Sequence, residues 1–176
     1  MELNLIKIAI VGPESTGKST ISEQLANHYQ TVWVPEYARS YCEKLTAPCT
    51  WQDEINMFRG QLELEQQMAI TARRILICDT TFITVKIWSD HMFGSAPQEV
   101  LDKLPHHPYD LYLLMNIDLP WQEDPLRDFP DKREHFMEVW HTELKALNAT
   151  YSLISGSDEV RLKNAIQCID SFMINK

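Results

Sequence analysis

Five short runs along the chain are almost wholly apolar and rich in β-branched residues: positions 5–11, 31–34, 75–79, 111–115 and 151–154. A strand with no polar face is buried on both sides, so these runs predict a parallel sheet covered above and below by helices. Helices are expected over 17–29, 37–44, 51–73, 80–92, 97–104 and about 158–172. Ile55, Phe58, Leu62, Met68 and Ile70 fall roughly on one side of the long one. Trp33 in a strand, and Trp140 on a further helix with Phe136 and Leu144, read as core packing. No repeat, low-complexity tract or Gly/Ser-rich linker interrupts the alternation. The expectation is a single α/β domain over 1–176, a size that buries about 70% of its unfolded surface.

Between the first run and the first helix stands Gly12-Pro13-Glu14-Ser15-Thr16-Gly17-Lys18-Ser19-Thr20, a match to G-x-x-x-x-G-K-[ST] in the strand–loop–helix setting that motif requires. Successive backbone N–H groups of such a loop converge on an anion, and the positive end of the following helix adds to their field. Gly12 and Gly17 let the backbone approach a phosphate, with Glu14, Ser15, Thr16 and Thr20 completing the cradle. Lys18 reaches the β/γ-phosphates and the Ser19 hydroxyl can ligate Mg²⁺. The implied cofactor is ATP with Mg²⁺, and the fold class is a P-loop NTPase, nucleoside- or nucleotide-kinase-like, with five parallel strands and helices on both faces.

Ligands of open parallel sheets bind beyond the carboxyl ends of the strands. Glu36, Asp79 and residues 116–118 all sit at such ends, alongside the loop. Asp79 is placed to hold Mg²⁺ or take the acceptor's proton, or to cap the helix opening at Thr80. Glu36 has the same address on the second strand and suits acceptor binding or general-base duty. Residues 120–133 form a polar, proline-broken segment with Arg127 and Arg133. It can close as a lid that neutralises charge on the moving phosphoryl and excludes water, with Arg127 the better placed; otherwise its arginines pair with Asp124, Asp128 and Asp131. Tyr37, Trp88 and Trp121 lie near the predicted crevice edge, where a flat heteroaromatic acceptor could stack. His106 and His107 precede a proline with no spaced partner and read as loop residues.

A net charge of −9 argues against a nucleic-acid or anionic-membrane partner, which needs a basic stripe, and favours a small soluble substrate. Cys42, Cys49, Cys78 and Cys168 form no C-x-x-C pair, and the first residues have neither a basic start nor a cleavage site, so a reducing cytoplasm is expected. No apolar run approaches the roughly 20 residues of a membrane span.

Taken together, Gly12–Thr20, Pro35-Glu36-Tyr37-Ala38-Arg39, Asp79-Thr80 with Thr84 and Trp88-Ser89, residues 109–113, and Pro120-Trp121 with Leu126-Arg127-Asp128 resemble the ribosylnicotinamide kinase module of the NadR-type bacterial NAD-biosynthesis proteins. The resemblance runs from about residue 5 to 170. It implies transfer of the γ-phosphoryl of ATP to the 5′-hydroxyl of nicotinamide riboside, giving nicotinamide mononucleotide. It also implies that Glu36, Tyr37, Arg39, Asp79 and Trp88 line the riboside site and that Arg127 belongs to the lid. Larger members carry a DNA-binding segment and an adenylyltransferase domain, and neither activity is implied for these 176 residues. Three other readings share the phosphate loop: a kinase for another nucleoside, a non-catalytic ATP-binding module, and a GTPase-like switch. The last would want N-K-x-D after the fourth strand, where Asn116-Ile117-Asp118 stands instead.

Overall fold

The computed structural model describes residues 5–176. Its centre is β1 (Ile6–Val11), which pairs in parallel with β3 (Ile75–Asp79) on one side and β4 (Leu111–Met115) on the other. The two-residue β2 (Trp33–Val34) and β5 (Tyr151–Ile154) complete the sheet, in the order β2-β3-β1-β4-β5. Chain segments therefore leave β1 in opposite directions, and the carboxyl end of β1 is the topological switch point where such sheets open a crevice.

Alternation along the strands feeds two cores. Ile8 and Ile10 of β1 join Ile77, Leu113 and Met115 under α1 (Lys18–His28) and α7 (Asp158–Ile174). Ala9 and Val11 join Leu76, Cys78 and Leu114 on the opposite face. That second core is closed by α3 (Trp51–Ala69), α4 (Phe82–Phe93), α5 (Gln98–Lys103) and α6 (Arg133–Ala146). Trp140 is buried as expected, whereas Trp33 is only partly covered at the sheet edge.

Local chemistry sets the element ends. Thr50 starts α3 through a capping box with Asp53, putting Glu54 in the helix's first turn. The helix stops at Ala69, short of the expected 73, because the chain must reverse into β3, and Arg74 takes φ 56° to do so. Pairing of the second strand covers 33–34 alone. The Thr31 hydroxyl instead donates to the Ile75 carbonyl (2.6 Å) and accepts from the Arg73 N–H (3.0 Å). A short helix α2 (Tyr37–Cys42) follows directly after Glu36.

Candidate active site

The loop after β1 is held in its cradle shape by sterics. Gly12 has φ 137°, and a Cβ there would lie 2.9 Å from the Met115 carbonyl oxygen, so β4 and the loop approach closely only with glycine. Gly17, at φ 77°, leads into α1, and Ser15 is also left-handed at φ 56°. Lys18 curls back over the loop, its Nζ 2.7 Å from the Pro13 carbonyl, to which the Thr16 hydroxyl also donates (2.9 Å).

Asp79 lies opposite Ile10 in the β1–β3 register, and Thr80 N–H donates to the Ile10 carbonyl (2.9 Å). This pairing sets the strand's terminal acid beside the loop. The carboxylate is buried, does not cap α4, and faces the Ser19 hydroxyl, the Thr80 hydroxyl and Lys18; Thr81 makes the α4 cap, accepting from Ile83 N–H. Burial pushes the Asp79 carboxyl up, and the Ser19 hydrogen bond and Lys18 charge oppose this. Glu36, at the tip of β2, is likewise pushed up by burial and drawn back by Lys18. Burial lowers the Lys18 ammonium while Glu36, Asp79 and Glu14 act to keep it charged.

Lys18 and Glu36 line one cavity of about 740 Å³, together with the rest of residues 12–20 and with Met57, Trp88, Met92 and Trp140. Arg39, Thr84 and Arg127 also line it, and Asp79 sits just behind Thr80 and Ser19. Two aromatic candidates fall elsewhere. Tyr37 packs its ring against Gly60 of α3, leaving no room there for a Cβ, and lies outside the cavity lining. Trp121 is also absent from the lining, and its indole N–H is buried without a partner among the described residues. Trp88 faces the cavity and stacks on Phe129, with ring centroids 5.5 Å apart.

Residues 120–133 lie across the loop. Gln122 N–H donates to the Ser15 hydroxyl (2.8 Å) and Phe129 N–H to the Glu14 carboxylate (3.3 Å). Arg133 donates to the carbonyls of Leu119 (2.9 Å) and Ser15 (3.1 Å), and Arg127 to that of Gln122 (2.6 Å). Asp124 pairs with Arg39 rather than with an arginine of its own segment. Arg133 thus fastens the segment to the loop, while Arg127 borders the cavity.

Two important residues escaped sequence reading. Arg161, in the first turns of α7, is 3% exposed; it pairs with Asp118 and donates to the carbonyls of Gly156 (2.7 Å), Asn116 (3.2 Å) and Thr16 (3.3 Å). Glu54 lines the cavity from α3. Both look like ordinary charges on helices of mixed polarity, and only the adjoining Thr50/Asp53 cap signal marks where Glu54 begins a helix.

A G-x-x-x-x-G-K-[ST] loop at the switch point of a 2-3-1-4-5 parallel sheet, with a strand-end acid beside it, defines a P-loop protein of nucleoside-kinase fold. The chain belongs to the AAA domain family, whose model matches residues 7–161. It is homologous to the trifunctional NAD biosynthesis/regulator protein NadR of Salmonella typhimurium, at 25% identity over 175 residues covering 94% of this chain and 42% of that protein. The chain thus spans less than half the length of this relative. Among solved structures, NadR in complex with NR superposes with a TM-score of 0.74 at 20% identity, covering 95% of this chain and 50% of that one. Deoxyadenosine kinase from M. mycoides, with products bound, does so with a TM-score of 0.65 at 15% identity, covering 94% of this chain and all of its own.

Proposed function

We propose that the protein is an ATP-dependent kinase that phosphorylates the 5′-hydroxyl of nicotinamide riboside, giving nicotinamide mononucleotide. The observation that carries this reading is the convergence of Glu36 and Asp79, from the tips of neighbouring strands, on Lys18 at the floor of a single cavity. That cavity is lined by the phosphate-binding loop and also by the apolar side chains of Met57, Trp88, Met92 and Trp140. Similarity to a protein named for NAD biosynthesis, and to one solved with NR, supports the choice of acceptor.

In this reading the amides of residues 12–20 and the Lys18 ammonium hold the β- and γ-phosphates of ATP. Ser19 and Asp79 offer two adjacent oxygens, the hard donor set that suits Mg²⁺ shared with phosphates, and would hold that ion. Bound there, Mg²⁺ neutralises negative charge on the β/γ-phosphates. Glu36 holds a ribose hydroxyl, and Asp79 or Glu36 accepts the proton of the attacking 5′-hydroxyl, which bonds to the γ-phosphorus as ADP leaves. Arg127 faces the charge on the transferring group, and residues 120–133 keep water out. Phosphoryl transfer proceeds through a loose transition state, so positioning and charge dominate over strong base catalysis. The four cysteines are free, in keeping with the reducing cytoplasm that this reading assigns to the enzyme.

The test is ADP release across a panel of nucleosides including nicotinamide riboside and deoxyadenosine. Nicotinamide riboside is expected to give the highest kcat/KM. Preference for another nucleoside would reassign the acceptor, and ATP binding with no acceptor-dependent turnover would remove the kinase reading.

A further inference from the structure

Glu54 is a carboxylate only 4% exposed, yet it borders the cavity. Among the described residues its donors are uncharged, the Cys49 thiol (Sγ–Oε1 3.6 Å) and the Ser89 hydroxyl, and no lysine or arginine nitrogen stands within 4 Å of it. The groups that face it are Cys42 from α2, Cys49 from the connecting loop, Asp53 from its own helix and Ser89 from α4, none of them a cation. The cations around the cavity are engaged elsewhere: Arg39 with Asp124, Arg161 with Asp118, Arg127 with the Gln122 carbonyl and Lys18 with the Pro13 carbonyl. The Thr84 hydroxyl on the cavity wall has no hydrogen-bond partner among the described residues. A buried carboxylate without a counter-charge, on a cavity whose wall also carries the unpartnered Thr84 hydroxyl, marks a surface completed by something that enters the cavity.

We propose that Glu54 determines acceptor specificity by serving as the counter-charge for a cationic heteroaromatic ring, held against Met57 one turn along α3 and Trp88 next to Ser89. The proposal rests on the nicotinamide riboside reading, in which the acceptor's N-glycosylated pyridinium ring carries a permanent positive charge. Neutral nucleosides of similar shape gain nothing from the carboxylate and strip its water. Burial pushes the free Glu54 carboxyl up to about 7 against the opposing hydrogen bonds of Cys49 and Ser89, so the discriminating charge itself titrates near neutrality. Below that pH the protonated group no longer distinguishes a cation from its neutral isostere.

The decisive comparison is kcat/KM for nicotinamide riboside against its reduced dihydropyridine form, the same riboside with an uncharged ring, between pH 6 and 8.5 at saturating ATP. The parent enzyme is expected to favour the cation about tenfold at pH 8, the scale of one charge-assisted contact, with the preference fading as pH falls through about 7. Glu54→Gln, which keeps size and shape, is expected to bring the two substrates within about twofold of each other at every pH, a result that loss of folding would not produce. An unchanged ratio in Glu54→Gln, or an equal loss on both substrates, overturns the role of Glu54 and leaves the acceptor reading standing. A parent enzyme inactive on nicotinamide riboside but active on neutral nucleosides overturns both.

Discussion

Arg39 of α2 and Asp124 of the proline-broken segment meet at 2.6 Å, joining the α2 wall of the cavity to the segment that crosses the phosphate loop. Arg39 is 42% exposed, so solvent screens the pair, it adds little to stability, and its effect belongs to closure. Asp124→Asn is expected to leave Tm nearly unchanged and to raise acceptor-independent ATP hydrolysis about two- to fivefold, because water reaches the nucleotide more often. A double-mutant cycle with Arg39→Gln, read on that hydrolysis, checks the coupling.

Lys18→Ala is expected to lower kcat by about 10²-fold or more, since in the proposed reaction its ammonium offsets three carboxylates that would otherwise repel the phosphates. The variant should remain folded, because the side chain's hydrogen bond is to the Pro13 carbonyl within the same loop. Parental turnover in purified Lys18→Ala would end the assignment of the loop.

Burial raises the carboxyls of both Glu36 and Asp79. In the proposed reaction the ionised form accepts the proton, so the acid limb of kcat/KM is expected above the usual carboxylate value of about 4, with activity falling as pH drops through the raised value. Single-turnover kinetics of Glu36→Gln and Asp79→Asn separate the two: the larger loss in the chemical step, together with loss of that limb, identifies the proton partner.

Glu54 also leaves a mark on stability. Its carboxyl is raised to about 7 in the folded protein from about 4.3 in the unfolded chain, so the folded state binds the extra proton between these values. Stability falls as pH rises through this window, and the penalty is complete above about 7. Glu54→Gln is expected to raise Tm by up to roughly 10 °C at pH 8, by only a few degrees at pH 5 and hardly at all near pH 4, measured by calorimetry without ligand.

Arg161→Ala removes a buried guanidinium from Asp118 and from the carbonyls of Gly156, Asn116 and Thr16. A loss of about 2–3 kcal/mol is expected, a Tm drop of roughly 5–10 °C. KM for ATP should also rise, since Thr16 lies in the phosphate loop. A shift in stability with unchanged ATP binding would make the residue purely architectural.

Sequence alone determined the layers and the phosphate loop. A strand buried on both faces admits few residue types, and the cradle's constraints lie within nine consecutive residues from Gly12 to Thr20, so both are written locally. Asp79 and Glu36 were legible for a similar reason: the strand end that precedes each is visible in its own run. Tertiary structure alone decided the strand order, and with it that β1 lies between β3 and β4 and that Asp79 faces Ser19. It turned Tyr37 onto Gly60, set Trp121 outside the cavity lining, and gave Arg39 rather than a neighbouring arginine to Asp124. Glu54 and Arg161 were invisible because a charged residue on a helix carries no sign of its partner. Whether such a charge meets water, a carbonyl or an open cavity depends on elements far away in sequence, and only packing brings those together.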